Sequence, residues 1–308
     1  MPFKVNANSR THGGRLLKLS HDSMSTKTPM DVNVYLPRQF YEPHTRQIPT
    51  IYFLSGLTCT PNNASEKAGW FGPADKYGFA VVFPDTSPRG DDVPTDPKGE
   101  WDLGKGAGFY VEALAEPWNK HYHMYKYVHE ELPAALDKFF NHPSGDSKVP
   151  EVQHQGLGVD FLDNVSITGH SMGGLGAVSG FLKNLNRYKS CSAFAPALSP
   201  SQIPWGVKAF TNYLGEENKE TWKQYDPSEQ VKTVPYVPGK EILIHIGTSD
   251  PFLKNNLKPE LFLEACKGTE WESHVDLKMA DDFDHSYYFV STFVPVHAEF
   301  HAKHLGLM

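Results

Sequence analysis

One serine in this chain has the neighbours that nucleophilic attack requires. Gly169-His170-Ser171-Met172-Gly173 fits G-x-S-x-G. Its context gives the pattern weight. The β-branched run VSIT (165–168) precedes it, and the small-residue run Gly173-Gly174-Leu175-Gly176-Ala177 follows. A strand that turns directly into a helix leaves no room for side chains beside the turn, which accounts for the glycines. Such a turn lifts the Ser171 hydroxyl above the sheet edge, at a helix N-terminus. The Met172 N–H can then face an oxyanion forming on the attacked carbonyl. A glycine-rich packing turn around an ordinary serine is the bland alternative, and this context favours it less.

A serine hydroxyl needs a base, and the base needs an orienting acid. After a serine on this kind of turn, the acid comes next in the chain and the histidine last. The apolar run ILIHI (242–246) ends at Gly247-Thr248-Ser249-Asp250, so Asp250 stands just past a strand. The run HVDLKM (274–279) leads into Ala280-Asp281-Asp282-Phe283-Asp284-His285-Ser286, so His285 is the expected base. Asp281, Asp282 and Asp284 crowd it and stay open as alternative orienters, with capping of the last helix as their other role. His170 lies within the turn and is badly placed to reach back to the neighbouring hydroxyl. His245 lies inside a strand and reads as packing.

The elements that must position these residues alternate along the chain. Strands are expected at 31–36, 50–54, 79–83, 165–168, 242–246 and 274–279, with a weaker one at 192–195. Helical spacing is expected at 65–77, 122–140, 172–185, 259–266 and 286–304, the last bent at Pro295. The alternation implies an α/β fold, a mostly parallel central sheet with helices on both faces. No boundary divides the chain, so one domain over residues 1–308 is expected. Residues 86–117 and 143–158 resist assignment. The first is rich in Gly, Pro and Asp yet carries Trp101, Phe109 and Tyr110, as functional loops do.

Composition narrows the function. Of 308 residues 39% are hydrophobic and 21% charged, and the formal net charge is −7. A globular core is expected, and a nucleic-acid binder is not. Neither a signal-peptide core nor an apolar run long enough to span a membrane is visible. Cys59, Cys191 and Cys266 are too few and too scattered for a disulfide framework or a zinc site. A cytoplasmic location is the default that follows. His121 with His123, and His297, His301 and His304, lack a completing ligand motif and read as solvated or packing histidines.

Taken together, the motifs resemble the S-formylglutathione hydrolase (esterase D) family, within the α/β-hydrolases. The matching segments are SGLTCT (55–60), NASEKAG (63–69), FPDTSPRG (83–90), GAGFY (106–110), GHSMGG (169–174), SDPFL (249–253) and DHSYYF (284–289), spread over nearly the whole chain. Residues 143–158 alone read as a lineage-specific insertion. The resemblance implies a serine thioesterase that hydrolyses S-formylglutathione to formate and glutathione in formaldehyde detoxification. It implies no metal or organic cofactor, and a homodimer. Carried over by motif, the triad is Ser171, Asp250 and His285, with the N–H groups of Leu57 and Met172 as oxyanion donors.

A formyl group has no side chain, so a tight acyl pocket is expected. Cys59, Gly108, Phe109 and Trp205 are candidates to wall it, with plain packing as the alternative for the loop at 106–110 and for Trp205. Arg89, Lys105 and Lys208 are candidates to meet the carboxylates of glutathione, though surface solvation is the plainer role for each. Two rivals remain: a broad carboxylesterase or acyltransferase on the same triad, and a hydrolase-fold binding protein without chemistry.

Overall fold

The computed structural model describes residues 3–142 and 153–308. Among the described residues nine strands form one sheet: β1 (Lys4–Thr11), β2 (Gly14–Asp22), β3 (Pro29–Leu36), β4 (Thr50–Leu54), β5 (Ala80–Pro84), β6 (Val165–His170), β7 (Tyr188–Phe194), β8 (Ile242–Gly247) and β9 (Val275–Ala280). Their order across the sheet is β1-β2-β3-β5-β4-β6-β7-β8-β9. From β5 to β9 every pairing is parallel, while β1, β2 and β3 add an antiparallel flank. The mostly parallel sheet expected from the alternation is therefore present. β4, β5, β6 and β8 are buried along their whole length, as strands covered on both faces must be.

The strand order reverses at β4. The chain leaves β4 for its neighbour β5 on one side, then returns across β4 to β6 on the other. Right-handed crossovers then put the intervening helices on opposite faces. Helices Pro61–Lys67 and Phe71–Tyr77 join β4 to β5, and the final helix Tyr287–His304 packs with them. Helices Leu132–Asn141 and Met172–Lys183 belong to the crossovers that run the other way. At such a switch the loops beyond the carboxyl ends of adjacent strands diverge and leave a crevice. The residues after β4 and after β6 are SGLTCT and the Ser171 turn.

Two strands and three short helices escape the sequence reading. β1 is an edge strand with little buried, so it lacks an apolar rhythm. β2 pairs only with other antiparallel strands and reads as a mixed polar run. Helices Pro204–Leu214, Lys219–Lys223 and Pro227–Gln230 fill the span between β7 and β8. The expected helix at 65–77 is two helices, broken where Gly69 turns to φ +82°. The expected helix at 122–140 widens into a π-turn over Tyr127–Glu131. Pro133 has no N–H to offer the His129 carbonyl, and an Arg187 N–H donates there instead. Residues 143–152 of the expected insertion lie outside the described residues.

A polar ladder runs beneath the final helix. His301 lies between Ser190 Oγ and Ser192 Oγ, 2.8 Å from each, and the hydroxyls of Ser166 and Thr168 extend the ladder. His297 Nε2 meets His245 Nδ1 at 2.9 Å, and its ring stacks on Phe194. Burial pushes His301 and His129 down to about 3 and His245 to about 4, so all three stay neutral in the folded chain. In the unfolded chain they protonate near the ordinary value of about 6.5. The unfolded state therefore binds more protons between about pH 4 and 6.5, and stability is full above that window and falls as pH drops through it. Denaturant unfolding at pH 7.5 and 5.5 should differ by about 1.4 kcal/mol for each such histidine. His301→Gln should lessen that difference by one such step; an unchanged difference would remove His301 from the account.

Candidate active site

Ser171 caps helix Met172–Lys183 with φ +58° and ψ −120°, a conformation that costs a non-glycine residue about 1–3 kcal/mol. The surroundings impose it. The Ser171 N–H donates to the Phe194 carbonyl at 2.9 Å, and the Leu175 N–H donates back to the Ser171 carbonyl at 3.1 Å. A Cβ on Gly169 would overlap the Gly173 carbonyl, and one on Gly173 would overlap the Leu54 carbonyl. β6, the turn and β4 are thus packed backbone to backbone, and the turn opens on one side, where the Ser171 and His170 side chains line a cavity.

His285 and Asp250 arrive on two loops that are tied together. The Ser249 N–H donates to the Phe283 carbonyl at 3.0 Å, and the Thr248 N–H to Ala280 at 2.9 Å. The His285 Nδ1–H donates to Asp250 Oδ2 at 2.5 Å, and that carboxylate is fully buried. Its other oxygen accepts the Phe252 N–H at 2.8 Å. The competing acids are engaged elsewhere. Asp281 and Asp282 accept from the hydroxyls of Thr248 and Ser249, and Asp284 holds Ser286. The cap of the final helix is Ser286 itself, whose Oγ accepts the Tyr288 N–H, with Asp284 one step behind it.

Gly56 brings the loop after β4 flush against the nucleophile: a Cβ there would lie 3.0 Å from Ser171 Cβ. The loop is braced from outside. Tyr110 Oη donates to the Ser55 carbonyl at 2.8 Å, and the Thr58 N–H donates to Gly106 at 2.8 Å. The Cys59 carbonyl accepts from Thr86 Oγ1 at 2.5 Å and from Arg89 Nη2 at 2.9 Å. Arg89 is held in turn by Asp85, 2.8 Å from its Nε. Leu57 lies in this loop and lines the same cavity as Ser171, and Met172 opens the helix that follows the serine.

A cavity of about 350 Å³ joins these parts. Ser171, His285, Leu57, Cys59 and Trp205 line it, as the sequence suggests. Gly108 and Phe109 are not in its lining. Gly108 donates its N–H to Thr86, and Phe109 is buried, so the loop at 106–110 supports the site from behind. The sequence reading missed Phe252, Tyr287 and the wall role of Trp101, all of which line the cavity. Their signal was available: Phe252 lies two residues past the acid and Tyr287 two past the histidine. His170 also lines it, its ring 4.6 Å from that of His285. Burial holds His170 far below the usual histidine range, and the neighbouring His285 adds to the effect.

Two of the three cations suggested for glutathione are already paired. Arg89 meets Asp85, and Lys208 meets Asp96, Glu100 and Asp102. Lys105 has no carboxylate partner among the described residues. Those three acids around Lys208 are also the one cluster of metal-ligand type found among the described residues. His121 bonds the Thr26 carbonyl, and His123 bonds Glu112 and the Asn119 carbonyl. No helix among the described residues is long and apolar enough to cross a membrane.

The chain is similar to known proteins along nearly its whole length. The Esterase family model matches residues 23–300. The chain is 60% identical to S-formylglutathione hydrolase of Saccharomyces cerevisiae, over 96% of this chain and 97% of that one. It is 41% identical to S-formylglutathione hydrolase of Rattus norvegicus, over 99% and 100%. The solved structure of an S-formylglutathione hydrolase from Agrobacterium tumefaciens superposes with a TM-score of 0.87 at 42% identity, covering 99% of this chain and 100% of that one.

Cys59 lines the cavity, and its Sγ lies 3.8 Å from Tyr287 Oη. Burial pushes the thiol pKa up, so at neutral pH the reactive thiolate is scarce. Alkylation by a maleimide should therefore inhibit slowly and accelerate as pH rises. Cys59→Ser should stay active and lose that sensitivity; a serine variant inhibited as fast as the parent would place the reactive thiol elsewhere.

Proposed function

The chain belongs to the S-formylglutathione hydrolase family of esterases, and we propose that it cleaves its thioester through a covalent formyl group on Ser171. It is an S-formylglutathione hydrolase, releasing formate and glutathione in formaldehyde detoxification. The observation that carries the mechanism is the 2.5 Å bond between His285 and buried Asp250, with His285 and Ser171 lining one cavity. With Nδ1–H committed to Asp250, His285 presents Nε2 as the base.

Ser171 Oγ attacks the formyl carbon as its proton passes to Nε2. The N–H groups of Leu57 and Met172 take the developing oxyanion, aided by the positive end of helix Met172–Lys183. The tetrahedral species collapses by expelling the glutathione sulfur, which takes the proton from His285. A thiol leaves readily because its pKa is only about 8.5. Water then enters, gives a proton to His285 and attacks the formyl-serine, and formate departs as Ser171 recovers its proton. No metal or organic cofactor has a part in these steps.

Two finer readings accompany this one. A homodimer is supported by the exposed groove in which Pro73, Tyr77, Pro295 and Val296 lie beside Lys76 and Glu299, and sedimentation would separate it from a 34.5 kDa monomer. A cytoplasmic location is supported by three buried cysteines that are all free thiols, and cell fractionation would test it.

Steady-state turnover of S-formylglutathione and of p-nitrophenyl acetate should favour the thioester by orders of magnitude. Ser171→Ala should lower both by about 10⁴–10⁶-fold. Equal or better turnover of the acetate ester would leave the nucleophile in place and make the enzyme a broad carboxylesterase. Residual activity of Ser171→Ala near that of the parent would remove Ser171 from the mechanism.

A further inference from the structure

The outer wall of the cavity is Trp101, 51% exposed and carried on a turn with no helix or strand of its own. Its ring stands edge-on to Trp205 at 5.6 Å, Trp205 lies 4.7 Å from Phe252, and Phe252 lies 4.9 Å from His285. An aromatic ladder thus runs from solvent to the base. An exposed indole on an irregular turn needs an anchor, and the anchor comes from the facing helix.

Lys208 lies one helical turn beyond Trp205 on Pro204–Leu214. Its ammonium meets Glu100 and Asp102, the residues on either side of Trp101. It also lies 2.7 Å from Asp96, which is almost fully buried. One cation faces three carboxylates, so the acids repel one another and their common approach depends on Lys208. The segment is fastened at its ends, where Asp96 Oδ1 accepts the Lys98 N–H and Gly104 donates to Tyr213 Oη. Between those points, Trp101 hangs on Trp205 and on the two acids that Lys208 holds.

We propose that Lys208 is a positioning residue for acyl selection, holding Trp101 across the cavity mouth so that longer acyl groups are excluded. This rests on the reading that the cavity receives the acyl group. The ion cluster is a strut, and its effect on catalysis passes entirely through the tryptophan wall.

The test is kcat/KM for p-nitrophenyl acetate and butyrate in the parent, Lys208→Met, Trp101→Ala and the double variant. The butyrate-to-acetate ratio should rise about tenfold in each single variant, the size of step that a few methylenes can produce in a pocket. The double variant should show no further rise, because both changes remove the same wall. Lys208→Arg should keep the parental ratio. About 1 M KCl should move the parent toward the variant ratio and leave Lys208→Met unmoved. An unchanged ratio in Lys208→Met, or effects that multiply in the double variant, would overturn the proposal. Should circular dichroism show Lys208→Met unfolded, Glu100→Gln with Asp102→Asn removes the flanking partners and is read in the same way. Both esters lack glutathione, so this result stands apart from whether S-formylglutathione is the preferred substrate.

Discussion

The backbone of Ser171, twisted to φ +58°, is the constraint on which the site depends. Left to itself the turn would relax, since the strain of such a residue is comparable to the net worth of one or two hydrogen bonds. It persists because β6 is pinned between β4 and β7, through Gly169 on one side and through His170 on the other. The strand cannot shift without breaking both ladders, and the helix cannot shift without driving Gly173 into Leu54. The same close approach that strains the serine brings the loop at Gly56 against it. The positions of Ser171 and of the loop at Gly56 are therefore one geometric fact, fixed by missing side chains at Gly56, Gly169 and Gly173.

The outer supports extend this logic. Tyr110 packs its ring against Gly176 in the nucleophile helix while its hydroxyl holds the Ser55 carbonyl in the oxyanion loop. One side chain thereby ties the helix after Ser171 to the loop after β4, which on the proposed mechanism carry the two N–H donors. Arg89 and Thr86 hold the Cys59 carbonyl on the far side of the same loop. An oxyanion site works when its dipoles are fixed before charge develops, because reorienting them during the reaction would consume the gain. These contacts meet that condition from three directions.

Which parts were legible follows from how local each signal is. Ser171, Asp250 and His285 could be proposed because each follows a strand within a few residues, among turn residues that the sequence shows. The parallel sheet was readable for the same reason. β1 and β2 were not, because an edge strand and its antiparallel neighbour need no continuous apolar face. The break at Gly69 is a local turn at a positive φ inside a run of helical spacing, while the π-turn before Pro133 is stabilised by Arg187 from another part of the chain. Gly108 and Phe109 looked like pocket residues because they are glycine and aromatic in a loop. They prove to be the layer behind the site, a distinction that depends on tertiary placement and not on residue type. Lys208 looked like a surface cation for the same lack of tertiary information.

Selection of a formyl group poses a particular physical problem. The smallest acyl group offers almost no surface, so an enzyme cannot favour it by attraction; a larger homologue always gains more from an apolar pocket. Discrimination has to come from exclusion, and exclusion requires walls that do not yield. Phe252 shows how the structure couples that demand to the chemistry. Its ring touches His285 and Trp205, while its backbone N–H fixes the second oxygen of Asp250. A wall that moved outward to admit a longer chain would disturb the acid that orients the base. On the proposed mechanism, rigidity of the pocket and alignment of the proton-transfer pair are thus maintained by the same residue, and specificity and rate are not independently adjustable along this side of the cavity.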